Sequence, residues 1–327
     1  MANSVTRVLI SGAAGFIGSN LVKKCLDEGW VVSGVDNMSN GHAEFISEYH
    51  NRFCEFLKCD FSHDDVLKRI KAKEYDVVFH LAALPRVSYS VEYPVETHDV
   101  NVHRTLKLID ACKGNVNRFV FASSSSVYGG AEKLPTPETY RRDPKSPYAL
   151  QKAHVEDYLK FYAENKLFDS ACLRFFNVFG PNALGSSPYA TALAAWLTAI
   201  KQGQPMRSDG DGTQTRDMCH VDNVTDACVK TANYDGALLN SPCLNVACGE
   251  KVSNNEILNY LLNRYQGSSK IDAPWRAGDV MHTLADVSKA NYFFGYKPIV
   301  KVWEGISRTC DWYDENWHWV KDLKTGV

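Results

Sequence analysis

Tyr148 and Lys152 form a pair whose residue types and spacing suit proton transfer. Side chains four residues apart share one face of an α-helix. Ser146 is a good N-cap and Pro147 a good first helical residue, so Tyr148 is expected in the first turn. A free tyrosine, with a pKa of about 10, is a poor base at neutral pH. The ammonium group and the positive end of the helix are expected to lower that pKa and make the phenol a usable base.

A second pair with the same spacing, Tyr162 and Lys166, falls at the distal end of the same predicted helix. A serine run, Ser123–Ser126, distinguishes the first pair, because it directly follows an apolar run that predicts a strand. Ligands bind at the carboxyl ends of strands in doubly wound folds. A hydroxyl there can donate to the substrate oxygen that Tyr148 deprotonates, so we select Tyr148 as the base.

A glycine turn near the N-terminus is typical of a site for a dinucleotide. Gly12, Gly15 and Gly18 follow the first apolar run and open a helical pattern. Such glycines allow a tight turn and a close approach of the backbone to a pyrophosphate at a helix N-terminus. The next apolar run ends in Asp36, an acid placed to bond the adenosine ribose and repel a 2′-phosphate. The sequence therefore predicts NAD.

Short apolar runs alternate with helical patterns through the first half of the chain. The runs are Arg7–Ile10, Val31–Val35, Asp76–Ala83, Arg118–Ala122 and Ser170–Phe175, and the main helical patterns are Ser19–Glu28, Asp99–Cys112 and Ser146–Asn165. This alternation predicts an α/β fold with a doubly wound parallel (Rossmann) sheet. Loops at 180–188 and 209–212, and a helical stretch from Tyr189, predict a smaller C-terminal substrate-binding lobe.

We therefore expect an NAD-binding domain over residues 1–176, joined again by segments near 213–247. Residues 177–327 are expected to form mainly the substrate-binding lobe.

Composition excludes several classes of protein. The 327 residues are 45% hydrophobic and 23% charged, which is typical of a globular protein. A net charge of −2 offers no basic field for nucleic acid or anionic lipid. The chain has no run of about 18 apolar residues, and its ten cysteines include no CxxC pair. We expect a cytoplasmic protein with reduced thiols, no nucleic-acid or membrane partner and no metal, since His220 and Asp222 lack further ligands at suitable spacing.

The spacing of the glycine turn is GxxGxxG, and with it the chain resembles the extended short-chain dehydrogenase/reductases. The resemblance runs over essentially the whole chain through the segments 173–181, 212–217, 220–223 and 276–279. Within the family the motifs are most similar to UDP-hexose 4-epimerases, particularly those acting on N-acetylated sugars. The resemblance places the catalytic hydroxyl at Ser124, four residues before Tyr128. Arg104 departs from the pattern, because the family often has glycine there.

The resemblance implies a complete set of site residues. The catalytic residues are Ser124, Tyr148 and Lys152. The cofactor site comprises Gly12, Gly15, Phe16, Ile17, Gly18, Asp36, Asn37, Gly41, Asp60, Phe61, Leu81, Ala82, Ala83, Asn101 and Phe175, with Tyr148 and Lys152. The substrate site comprises Arg86, Ser124, Ser125, Tyr148, Asn177, Arg216, Arg276, Asp279 and Thr283. Arginine forks suit a diphosphate because they form paired, charge-assisted hydrogen bonds.

The resemblance implies a redox-neutral 4-epimerase with bound NAD that interconverts UDP-GlcNAc and UDP-GalNAc, and possible activity on UDP-Glc and UDP-Gal. Thr283 stands where a small residue leaves room for an N-acetyl group. Ser125 and Ser126 replace the acids that dehydratases and decarboxylases use. The alternatives are a UDP-glucose or UDP-glucuronate 4-epimerase and, in another class, a non-catalytic NAD-sensing protein. A homodimer is expected through the helices at 99–112 and 146–165.

Overall fold

The structure is a computed structural model that describes residues 5–165, 169–187, 190–236, 242–275 and 280–323. In these ranges the strands are β1 (Arg7–Ser11), β2 (Val31–Val35), β3 (Glu55–Leu57), β4 (Val77–His80), β5 (Arg118–Ser124), β6 (Ser170–Phe175), β7 (Val178–Phe179), β8 (Met206–Asp209), β9 (Thr215–Asp217), β10 (Cys219–His220), β11 (Cys243–Val246), β12 (Lys251–Ser253) and β13 (Lys270–Ala273). The α-helices are α1 (Phe16–Asp27), α2 (Asp64–Lys71), α3 (Val87–Glu92), α4 (Pro94–His98), α5 (Thr105–Cys112), α6 (Pro147–Glu164), α7 (Ala192–Lys201), α8 (Val221–Ala232), α9 (Asn254–Arg264), α10 (Ser288–Phe294) and α11 (Val302–Val320).

Seven parallel strands form the central sheet in the order β3-β2-β1-β4-β5-β6-β11. The strands are apolar throughout because helices cover both faces of the sheet. On one face of the sheet pack α1 and α8, and on the other face pack α2, α5 and α6. The predicted doubly wound Rossmann fold is confirmed.

Several predicted elements differ in their bounds. β5 continues through Ser124, so the first two serines of the run belong to the strand. The helix expected from Asp99 begins as a π-helical turn over Asp99–Arg104 and becomes α-helical at Thr105. The helix expected from Tyr189 starts at Ala192, with the Thr191 side chain accepting from the amide of Ala194, while Tyr189 lies outside the described residues. A side chain that can cap a helix therefore fixed the start of α7.

The last helix, α11, joins two loops that border the carboxyl edge of the sheet. The ring of Trp319 meets that of Phe45, from the segment after β2, at 6.2 Å between centroids. Leu184, from the loop after β7, packs into the same cluster with Val320. We call these residues the aromatic clasp. Although α11 holds 19 residues, neither it nor any other described helix is long and apolar enough to cross a membrane.

Candidate active site

A cleft of about 1280 Å³ opens at the carboxyl edge of the central sheet. Segments following β1, β2, β4, β5 and β6 form one wall, and residues beyond 177 form the other. The predicted site residues that line it are Gly12, Gly15, Phe16, Ile17, Gly18, Asp36, Asn37, Gly41, Asp60, Phe61, Leu81, Ala82, Ala83, Arg86, Ser124, Ser125, Tyr148, Lys152, Phe175, Asn177, Arg216 and Thr283. Predicted residues far apart in the chain therefore share one surface.

The glycine turn leaves no room for side chains. Gly12 has a φ of +74°, and a Cβ there would lie 2.9 Å from the amide nitrogen of Ala82. A Cβ on Gly18 would overlap the carbonyl oxygen of Gly12. The first turn of α1, which begins at Phe16, faces the cleft with its amides. This bare backbone at a helix N-terminus fits a pyrophosphate.

Asp36 is held rigidly just beyond β2. Its carboxylate accepts from the amide of Ala14 at 3.0 Å and from that of Met38 at 2.8 Å. A Cβ on Gly41 would lie 2.8 Å from Asp36 Oδ1, so the loop passes close over the acid. Burial raises the pKa of Asp36, while the two amides oppose that shift. The placement fits a ribose with a free 2′-hydroxyl, and with the glycine turn it fits NAD.

Asp60 and Arg104 form an ion pair on the cleft wall. Arg104 Nη1 lies 2.8 Å from Asp60 Oδ2, and Nη2 lies 2.7 Å from Asp99 Oδ2. Burial alone would raise the pKa of Asp60, but hydrogen bonds from Ser62 and Arg104 hold it below its usual value. The residue that departs from the family pattern thus fixes a carboxylate in the predicted adenine pocket.

The predicted catalytic residues meet where β5 faces the start of α6. Ser146 caps the helix, its hydroxyl accepting from Ala149 at 3.2 Å, and Pro147 is the first helical residue, as predicted. The amide of Tyr148 donates to the Ser90 hydroxyl at 3.0 Å. Ser124 contacts the Tyr148 phenol through its side chain. The phenol and this serine therefore share one end of the cleft.

Lys152 does not act on Tyr148 as the sequence suggested. Its ammonium donates to the carbonyl of Ala122 at 2.7 Å and lies 5.8 Å from the centroid of the Tyr148 ring. Burial raises the pKa of Tyr148 to about 12, with only the Ser124 hydrogen bond opposing it. Burial likewise lowers the pKa of Lys152 to about 7, against the attraction of Glu156. The expectation that the ammonium lowers the tyrosine pKa is wrong for this structure, because burial outweighs it.

Sequence analysis missed the buried carboxylate behind this group. Glu156 accepts from the Ser123 hydroxyl at 2.6 Å and from Arg174 Nε and Nη2 at 2.8 and 2.7 Å. The side chains of the ion pair are 1% and 4% exposed. Its signal in the sequence is the spacing, since Glu156 follows Lys152 by one helical turn. The pair ties α6 to the ends of β5 and β6.

Asn101, predicted to bind the cofactor, lies outside the cleft lining and is buried. Its side chain accepts from the amide of Leu84 at 2.8 Å and donates to the Leu84 carbonyl at 3.0 Å and to Gln151 Oε1 at 2.8 Å. These bonds hold the turn after β4 against α6. Asn101 therefore bonds to the turn that borders the cleft, and its own side chain does not line the cleft.

On the opposite wall Asp217 joins three segments. Its buried carboxylate accepts from the amides of Cys248, Gly249 and Ala285 at 3.0 to 3.2 Å. Burial raises its pKa to about 6, and these hydrogen bonds oppose the rise. Its own amide donates to the Thr283 hydroxyl at 3.0 Å. Asp217 therefore fixes the extended segment that carries Thr283.

Asn177 and Thr283 are in direct contact. Asn177 Nδ2 donates to Thr283 Oγ1 at 3.1 Å and to the Asp217 carbonyl at 3.0 Å. The neighbouring Arg216 lines the cleft, and its Nη1 donates to the carbonyl of Thr215 at 3.0 Å. The two remaining predicted substrate residues, Arg276 and Asp279, lie outside the described residues.

His220 and Asp222 mark the start of α8. His220 Nδ1 accepts from the amide of Asp222 at 3.2 Å, and its ring packs against Phe179 at 5.5 Å between centroids. The described ranges contain no group of three His, Cys, Asp or Glu side chains arranged to hold a metal. These contacts make His220 a helix cap.

Comparison with known proteins gives consistent matches over most of the chain. The profile of the NAD dependent epimerase/dehydratase family matches residues 8–246. A UDP-glucose 4-epimerase of Mycolicibacterium smegmatis is 34% identical over 94% of this chain and 98% of its own length. A UDP-glucuronate 4-epimerase of Thermodesulfobacterium geofontis is 30% identical over 97% and 98%. The solved UDP-N-acetylglucosamine 4-epimerase of Methanobrevibacter ruminantium, in complex with UDP-N-acetylmuramic acid, is 34% identical, covers 96% of this chain and 99% of that chain, and superposes with a TM-score of 0.89.

Proposed function

The chain belongs to the NAD dependent epimerase/dehydratase family, and from that premise we propose that it interconverts UDP-N-acetylglucosamine and UDP-N-acetylgalactosamine. It is an isomerase, an NAD-dependent UDP-sugar 4-epimerase, which sets aside the alternative of a non-catalytic NAD sensor. The proposal of an N-acetylated sugar as substrate rests on Thr283. It lines the cleft, and its hydroxyl already accepts from Asn177 and Asp217. Its hydroxyl is therefore engaged with the protein, and its contribution to the sugar site is the space that its small side chain leaves.

The cleft has the groups that NAD requires. Gly12, Gly15 and Gly18 would hold the pyrophosphate, Asp36 the adenosine ribose and Asp60 the adenine. NAD, when bound, supplies a reversible hydride acceptor for the sugar. Because the hydride that leaves the substrate returns to it, the reaction needs no net oxidant and the enzyme works with the cofactor it carries.

The protein's own part is proton transfer at one oxygen. Tyr148 takes the proton of the sugar 4-hydroxyl as the hydride leaves C4, and the sugar becomes a 4-keto intermediate. Ser124 donates a hydrogen bond to the same oxygen, and its bond to the phenol is the contact that opposes the raised pKa of Tyr148. Lys152 lines the cleft beside them, where we assign it to the cofactor. After the ketone has turned its other face, C4 regains the hydride and Tyr148 returns the proton. The configuration at C4 is inverted.

UDP must stay bound while the sugar turns. We assign this to Asn177, Arg216, Arg276 and Asp279, so that binding energy at the diphosphate positions the sugar. In the described lining, Ser125 and Ser126 follow the catalytic serine where a dehydratase would need a carboxylic acid. The site therefore supports epimerisation over elimination.

A homodimer is the proposed assembly. Leu150, Tyr158 and Phe161 lie along one face of α6 and are 45%, 43% and 57% exposed. Val95, on the neighbouring α4, is 83% exposed. A second copy of this chain would cover these exposed side chains, with the helices at 99–112 and 146–165 as the proposed interface.

A later part of the chain returns to the central sheet, and the proposed division into domains takes account of this return. β11 pairs with β6 at the edge of the central sheet, and α8 packs on α1. We propose an NAD-binding domain over 1–176, completed by parts of 213–247. Residues 177–327 then form mainly the substrate-binding lobe.

The test is incubation with UDP-GlcNAc without added NAD, with the sugars identified by proton NMR. We expect UDP-GalNAc to form and no free NADH to accumulate. Parallel reactions with UDP-glucose and UDP-glucuronate set the preference, and Tyr148→Phe is the inactive control. Conversion of UDP-glucose without conversion of UDP-GlcNAc would refute the proposed substrate, and accumulation of NADH would refute epimerisation.

A further inference from the structure

Arg86 places a positive charge at the catalytic end of the cleft. It lies between β4 and α3, and its carbonyl accepts from the amide of Ser90 at 2.9 Å. The Ser90 hydroxyl in turn accepts from the amide of Tyr148 at 3.0 Å. Arg86 is thus one helical turn from the residue that anchors the proposed base, and it lines the same cleft as Ser124.

This guanidinium has no carboxylate partner among the described residues. Arg86 is half-buried, and its Nε donates to the Ser88 hydroxyl at 2.9 Å. The acids of the described cleft lining are engaged elsewhere: Asp36 with backbone amides, Asp60 with Arg104, and Glu96 with the hydroxyl of Tyr89 at 2.8 Å. A cation held in a cleft without a counter-ion favours an anionic ligand.

The phosphates of the two nucleotides have other places in the proposed site. Those of NAD are assigned to the glycine turn at Gly12–Gly18, and those of UDP to Asn177 and Arg216 on the opposite wall. Arg86 is tied instead to the segment that holds Tyr148, where the sugar reacts. The anion within its reach therefore belongs to the sugar.

We propose that Arg86 determines specificity by binding a carboxylate carried on the sugar of the nucleotide-sugar substrate. This inference rests on the proposed epimerase function. The planar guanidinium fork matches a carboxylate with paired hydrogen bonds, which a neutral hydroxymethyl group cannot replace. With the room left at Thr283, the preferred substrate is a UDP-N-acetylhexosaminuronate. A neutral sugar leaves Arg86 hydrated and is turned over more slowly.

The experiment measures kcat/KM for four substrates that vary the two features independently: UDP-glucose, UDP-GlcNAc, UDP-glucuronate and UDP-N-acetylglucosaminuronate. We expect the wild-type enzyme to favour each acid over its neutral counterpart at least tenfold, as a charge-assisted hydrogen bond allows. Arg86→Gln should lower the acid-to-neutral ratio of kcat/KM about tenfold or more, mainly because KM rises for the acids. Arg86→Lys keeps the charge but loses the planar fork. Its acid-to-neutral ratio of kcat/KM should lie between those of the wild type and Arg86→Gln.

NAD released from denatured protein is measured for each variant, with Ser88→Ala as the control that removes only the hydrogen-bond partner of Arg86. An acid-to-neutral ratio that is the same in wild type and Arg86→Gln overturns the assignment. Equal loss on all four substrates together with loss of NAD also overturns it, because Arg86 would then serve the cofactor. Wild-type turnover of UDP-GlcNAc without preference for the acids refutes the role of Arg86 alone. Turnover of none of the four refutes the proposed function as well.

Discussion

Replacing Thr283 by valine separates its hydroxyl from its volume. The hydroxyl accepts from the amide of Asp217 at 3.0 Å and from Asn177 Nδ2 at 3.1 Å, and valine has nearly the same shape but no acceptor. A buried donor left unpaired costs about 1–3 kcal/mol. Asp217 is fully buried, whereas Asn177 borders the cleft, where water can replace the lost partner.

We therefore expect Thr283→Val to lose about 1–3 kcal/mol of unfolding free energy, most of it from the Asp217 amide. Thr283→Ser keeps the acceptor and should lose less than about 1 kcal/mol. Urea unfolding of NAD-loaded protein at a fixed cofactor concentration measures both. Equal stability of the valine and serine variants would show that the two hydrogen bonds do not hold this segment.

The same position tests the choice of sugar. Thr283→Tyr also loses the acceptor, but it adds volume to the cleft. Overpacking costs about 1–3 kcal/mol, and a direct clash with the rigid amide of the N-acetyl group costs more. The value of kcat/KM for UDP-GlcNAc should therefore fall at least tenfold relative to Thr283→Val, while that for UDP-glucose survives. Comparison with valine cancels the hydrogen-bond loss that both variants share. A tyrosine variant with the substrate ratio of the valine variant would remove Thr283 as the determinant of N-acetyl specificity.

Substitutions at four other positions probe the base and the cofactor site. Tyr148→Phe should lower turnover at least ~10²-fold with NAD still bound, whereas Tyr162→Phe should stay near wild type; the reverse result would move the base to the second pair. Asp36→Ala should weaken the binding of NAD and reduce the preference for NAD over NADP. Recovery of mainly NADP from denatured wild-type protein would contradict the role of Asp36. Arg104→Leu should release the Asp60 carboxylate and lower the fraction of purified protein that carries NAD, with Arg104→Lys retaining more; unchanged occupancy in the leucine variant would exclude Arg104 from the adenine pocket.

Local patterns were sufficient to predict the central strands and the main helices. β2 and β6 have the predicted bounds, and α6 begins at the predicted Ser146 cap and Pro147. Apolar runs, caps and glycine turns act over a few neighbouring residues, so the sequence displays them directly. The edge strand β11 is different, because its place beside β6 depends on a long return of the chain that no local pattern encodes.

The electrostatics of the site were not predictable in the same way. A helical spacing placed Tyr148 and Lys152 together, but the depth of their burial decides the pKa of each, and burial is a property of the whole fold. The pairing of Asp60 with Arg104 likewise joins a loop to a π-helical turn. Arg104 was visible in the sequence only as a departure from the family pattern.

The aromatic clasp makes the two borders of the nucleotide cleft depend on one helix. Phe45 borders the cleft from the segment after β2, and its ring packs on that of Trp319 in α11. Leu184 borders the cleft from the other side and packs into the same cluster. Loosening of α11 would therefore release both borders of the cleft together.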